Sequence, residues 1–122
     1  MADVKDYITY PEEKGTIFIS EDVVSKITAA AALETEGVEG MATNMGREIA
    51  SMFTKKVPNK GVRVLKTEDG VVIDVFIIVK SGYSLQEVGC AVQKNIQSAI
   101  EAGTGRAADV VNVNICGVTF DR

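Results

Sequence analysis

Residues 61–88 read GVRVLKTEDGVVIDVFIIVKSGYSLQEV. Two apolar runs, Val62 to Lys66 and Val71 to Lys80, flank Thr67-Glu68-Asp69-Gly70, and an Asp-Gly step between such runs is a strong signal for a β-hairpin. Successive strand side chains point to opposite faces, so Ile73, Val75, Ile77 and Val79 lie on one side and Asp74, Phe76, Ile78 and Lys80 on the other. The first set is wholly apolar and β-branched and is expected to meet the core. Just beyond the run, Ser84 and Glu87 form an S-x-x-E capping box, with Tyr83 and Val88 placed to close a hydrophobic staple. A helix is therefore predicted from Leu85, with Leu85, Val88, Val92, Ile96 and Ala99 as its buried stripe and Gly103 or Gly105 as its stop.

Working outward, Thr16-Ile17-Phe18-Ile19 alternates like a short strand and ends at Ser20, a good N-cap followed by Glu21 and Asp22, whose charges favour a helix start. Val23, Val24, Ile27, Ala30 and Ala31 give that helix its apolar stripe, and Gly37 is its natural stop. Residues 41–60 show no two-residue period and only a helical hint from Arg47 to Thr54. The last strand runs from Val110 to Phe120, with Val111, Val113 and Ile115 on one face, Asn112 and Asn114 on the other, and a bend at Gly117. Residues 1–14 read as a loose polar arm and 15–122 as one α+β domain. The expected fold is a two-layer sandwich in βαββαβ-like order, with helices on one face of a largely antiparallel sheet.

Composition narrows the function. The 122 residues are 46% apolar, enough for a single core, and contain no histidine. The usual general base near neutral pH and the commonest metal ligand are thus missing. Cys90 and Cys116 are the only thiols and have no CxxC spacing, so they read as buried and reduced, with neither a metal nor a redox motif. The paired carboxylates Glu21–Asp22 and Glu68–Asp69 are accounted for by a cap and a turn. No catalytic, metal or cofactor site is expected. MADVKDYITYPEEK has neither a basic start nor an apolar stretch, and Val71 to Val79 is far shorter than the ~20 residues of a membrane-spanning helix. The chain is accordingly expected in the cytosol, with no direct membrane span.

Two features point to recognition. Phe76 and Ile78, joined by Phe18, would form an apolar patch on the sheet's outer face, to be covered by another subunit or by Ile49, Met52 and Phe53 of the same chain. From Gly40 to Lys66, Arg47, Lys55, Lys56, Lys60, Arg63 and Lys66 stand against Glu48 alone, a net charge of 6 − 1 = +5. The whole chain carries −4, so the remainder is −4 − 5 = −9, and a basic strip centred on Lys55, Lys56 and Lys60 is set on an acidic body. Gly37-Val38-Glu39-Gly40 matches the GxxG form of KH-type RNA-binding loops, but Glu34, Glu36 and Glu39 give it the wrong potential, and no nucleic-acid partner is expected. A small-molecule-binding regulatory domain also fits the element order, although the sequence does not point to a polar-lined pocket.

GTIFISEDVVSKITAAAALETEGVEGM, then GVRVLKTEDGVVIDVFIIVKSGYSLQEVGCAVQKNIQSAIEAGTG, then DVVNVNICGVTF stand in an order that, from Gly15 to Phe120, resembles the alkaline shock or envelope stress response family of Gram-positive bacteria. The specific marks are GVxxM after the first helix, VxIDVxIxVxxGYS before the second, and VNVNxxGV at the end. The resemblance implies a non-enzymatic protein of cell-envelope homeostasis that self-associates. It also implies a place at the membrane periphery, reached through a small membrane-anchored protein partner. Some relatives are linked instead to control of fatty-acid synthesis. The family supplies no catalytic residues to carry over.

Overall fold

The computed structural model describes residues 7–42, 61–68 and 70–120. In chain order these form β1 (Tyr7–Glu12), β2 (Gly15–Ser20), α1 (Glu21–Glu34), β3 (Val38–Met41), β4 (Val62–Thr67), β5 (Gly70–Lys80), α2 (Leu85–Thr104) and β6 (Val110–Thr119). The result is an α+β fold whose strand pairs are antiparallel except for β5 with β6, a largely antiparallel arrangement as the patterning predicts. Its centre is β5. Ile73, Val75, Ile77 and Val79 are 0% exposed and pack with Val24, Ala31 and Ala32 of α1 and with Val88, Val92, Ile96 and Ile100 of α2. At about 1.5–3 kcal/mol for each fully buried branched side chain, this one face of one strand is a major source of stability.

Both helices start where their caps place them. Ser20 Oγ accepts from the Val23 amide at 3.2 Å, and Ser84 Oγ accepts from the Glu87 amide at 3.3 Å. The staple pair of α2 closes on an unexpected third partner, since a Cβ on Gly37 would lie 2.8 Å from Val88 Cγ2 and 3.0 Å from the Tyr83 ring. Gly37, at φ +95°, therefore serves less as the stop of α1, whose C-cap is Thr35, than as the turn on which the α2 start packs. Thr35 joins the two helices: its hydroxyl donates to Ala31 O and accepts from Asn95 Nδ2. Gly105, in the left-handed region, ends α2. Leu85 and Val23, read as core, are 43% and 45% exposed, while Ile100 and Thr28 take buried positions on their helices.

β6 runs parallel to β5, the crossover being made by α2, with a register shift at the Ile77/Ile78 step where Cys116 is the extra residue before Gly117. On the other edge of β5, β3 and β4 lie end to end, both antiparallel to it. β3, Val38–Met41, is a strand that the sequence patterning does not announce. Phe76 stands at the join. Its carbonyl accepts from the Ala42 amide and its amide donates to the Gly61 carbonyl, each at 2.8 Å. In an unbroken antiparallel ladder one residue would make both bonds. Ala42 and Gly61 divide the task, so residues 42–61 stand where a continuous edge strand would have a single residue.

Part of the arm read as loose is ordered. Tyr7–Glu12 pairs with Gly15–Ser20 in a two-stranded sheet separate from the main one. Ile8 and Tyr10 alternate with Thr9 and Pro11 and bury their side chains in the core, and Lys66 Nζ donates to Tyr7 O at 2.6 Å. Two buried apolar residues and a tie to β4 offset the entropy of fixing the arm.

Candidate interaction surface

The strand registers fix the neighbours on the sheet face that turns away from the helices. Leu65, Val72 and Val110 form one row across β4, β5 and β6, and Arg63, Asp74 and Asn112 form the next. Asn114 stands beside Phe76, and Ile78 lies between Gly40 and Gly117. In the first row Leu65 is 39% and Val110 44% exposed. The second row is internally bonded: Asn112 Nδ2 donates to Asp74 Oδ1 at 2.8 Å, and Arg63 Nη1 lies 3.9 Å from Asp74 Oδ2. The Arg63 guanidinium also sits 5.9 Å from the centre of the Phe76 ring, within cation–π range. Asp74, on the face opposite the core, is nevertheless buried. A buried carboxylate is tolerated where a cation and a hydrogen-bond donor face it.

Of the residues singled out for recognition, Phe76 and Ile78 do come together, in a second apolar cluster with Ala42 and Cys116. Phe76 itself is buried, so it is not an open surface. Phe18 does not join them. It lies on β2, which pairs with β1 and not with the main sheet, and there it is 57% exposed beside Ile17 at 52%. Lys55, Lys56 and Lys60, and with them Ile49, Met52 and Phe53, lie outside the described residues. The exposed row of Leu65 and Val110 was not singled out from sequence. The signal was present in the alternation of β4 and β6, but it needed the register of both strands on β5.

The thiols divide. Cys90 is exposed, contrary to the reading of both as buried. Burial pushes the Cys116 thiol above its ordinary value, which keeps it protonated and a poor nucleophile. No cluster of three or more potential metal ligands occurs among the described residues. Gly40 of the GxxG sequence is a strand residue paired with Ile78, not part of an open loop.

A family model described as the alkaline shock protein 23 family, with a cell envelope-related function, matches residues 9–120. The chain belongs to that family. Members of the alkaline shock protein 23 family similar to it include YqhY of Bacillus subtilis, 34% identical over 107 residues covering 88% of this chain and 79% of that protein. Spy1614 of Streptococcus pyogenes is 32% identical over 103 residues, covering 83% and 85%. YloU of Bacillus subtilis is 31% identical over 106 residues, covering 85% and 88%. Among solved structures, a MamM CTD variant is 14% identical with a TM-score of 0.48, covering 83% of this chain and 95% of that one. The alkaline shock protein 23 family is not a known enzyme family, and its function is cell envelope-related. No helix among the described residues is long and apolar enough to cross a membrane.

Proposed function

We propose that the chain acts in cell-envelope homeostasis without catalysis, by associating with copies of itself and with a protein partner, and that a membrane-anchored partner brings it to the envelope. The observation that carries this reading is the row in which exposed Leu65 and Val110 flank half-buried Val72, on the sheet face turned away from α1 and α2. An apolar row across three strands, next to a satisfied polar row, has the composition of an interface centre with its polar surround. Family membership supports the envelope setting. The lysines of the basic strip, Lys55, Lys56 and Lys60, would attract an acidic surface and speed the encounter with it.

The two faces of β5 provide the test. Ile77→Asp should abolish folding, because Ile77 is 0% exposed and an unpaired charge there has no partner. Ile78→Asp, on the half-buried opposite side, should leave a folded chain with weaker association, measured by sedimentation with circular dichroism as the folding control. Equal loss of folding in both would remove this face as the interface.

A further inference from the structure

We propose that the chain also holds a binding site for a small zwitterionic ligand with an apolar body, of the amino-acid or short-peptide class. The site lies between β1, the β4–β5 turn and the segment that links α2 to β6. A cavity of about 590 Å³ opens there. Small-molecule sites typically span roughly 300–1,000 Å³ and combine apolar walls with a few polar groups. Here Ile8, Val24 and Ile100, each almost fully buried, give the wall its apolar character.

The polar groups divide into those the fold uses and those it leaves over. Lys66 is engaged with Tyr7 O, and the Asp109 carboxylate accepts from the Val71 amide at 2.6 Å. The Arg106 guanidinium and the Glu68 carboxylate line the same cavity and have no hydrogen bond or ion pair among the described residues. Tyr10 is only 8% exposed, and its hydroxyl likewise has no partner among them. Every fully buried side-chain nitrogen or oxygen among the described residues is hydrogen-bonded, so the Tyr10 hydroxyl must be solvent-accessible, and Tyr10 lines the cavity. Among the described residues, the Arg106 guanidinium, the Glu68 carboxylate and the Tyr10 hydroxyl thus remain without a hydrogen-bond partner, around a cavity that joins an apolar wall to a larger polar lining. The hydrogen bonds of Lys66 and Asp109 to neutral backbone groups leave their charges in place, so the described lining carries two cations and two anions, a balance that a ligand of single charge would upset. A zwitterion keeps that balance, its carboxylate on Arg106 and its ammonium on Glu68, with the hydroxyl free to bond either end of the polar chain. Lys66 and Val71 place the site on the helix-covered side of the sheet, opposite the face that carries Leu65, Val72 and Val110.

The probe is leucyl-leucine, titrated calorimetrically into the full chain at low salt. Saturable binding is expected, weakened about tenfold by acetylating its amino end or amidating its carboxyl end. Arg106→Gln should weaken the free dipeptide about tenfold yet leave the C-amidated form unaffected, and Glu68→Gln should do the converse with the N-acetylated form. Both side chains belong to exposed residues, so the variants should keep the wild-type circular dichroism spectrum. Absence of saturable binding to the wild type in the millimolar range would overturn the proposal. So would a doubly blocked dipeptide that binds as tightly as the free one, or affinity unchanged in both variants.

Discussion

Gly70 and Asp109 show how closely single positions are specified in this chain. Gly70 has φ +148°, and a Cβ there would fall within 1.6 Å of the Asp109 carboxylate, the group that caps the Val71 amide. Gly70→Ala should therefore lower stability by about 2 kcal/mol or more, combining backbone strain with displacement of that carboxylate. Urea unfolding of Gly70→Ala, Asp109→Ala and the double variant checks the coupling: the double should lose less than the sum, because removing the carboxylate removes the clash. Ser84 is the simpler case. Its hydroxyl accepts from the Glu87 amide, so Ser84→Ala should cost about 1 kcal/mol by the same measurement, and an unchanged midpoint would mean the cap contributes nothing.

Elements announced by local signals were legible in the sequence, and elements defined by distant contacts were not. The β4–β5 hairpin, the alternation of β5 and the Ser84 cap rest on signals within a few residues, and the structure places all three as read. β1 was missed because the alternation of Ile8 and Tyr10 with Thr9 and Pro11 is a short signal in a polar arm, and the burial of the two depends on core residues distant in the sequence. β3 is four residues long and is a strand by virtue of its pairing with β5. The same limit governs the candidate surface: alternation put Phe76 and Ile78 together, while Phe18 could be assigned to another sheet only from the β1–β2 pairing. The join at Phe76 yields its own expectation. Replacing residues 42–61 by a single threonine, a residue suited to strands, should connect Met41 to Val62 in unbroken register and give a folded, shorter chain. Cooperative unfolding with retained circular dichroism would bear this out, and an unfolded product would show that the longer segment is needed for the fold.

Taken whole, the molecule presents a helix-covered face that is self-sufficient and an outer sheet face whose apolar row is left exposed. Its charge is split between a basic middle segment and an acidic remainder, an arrangement that favours contact between unlike regions of two copies. Such contact should weaken with salt, since exposed charges are screened beyond ~10 Å at 0.1 M. Changing Lys55, Lys56 and Lys60 together to Glu reverses the strip and should reduce association without unfolding the chain. Sedimentation equilibrium of the wild type and this triple variant at micromolar concentration, in low and high salt, decides the matter. The expected result is a wild-type mass at low salt that is a multiple of 13.0 kDa and falls with salt or charge reversal. A wild-type chain that stays at 13.0 kDa under all these conditions would contradict self-association as its mode of action.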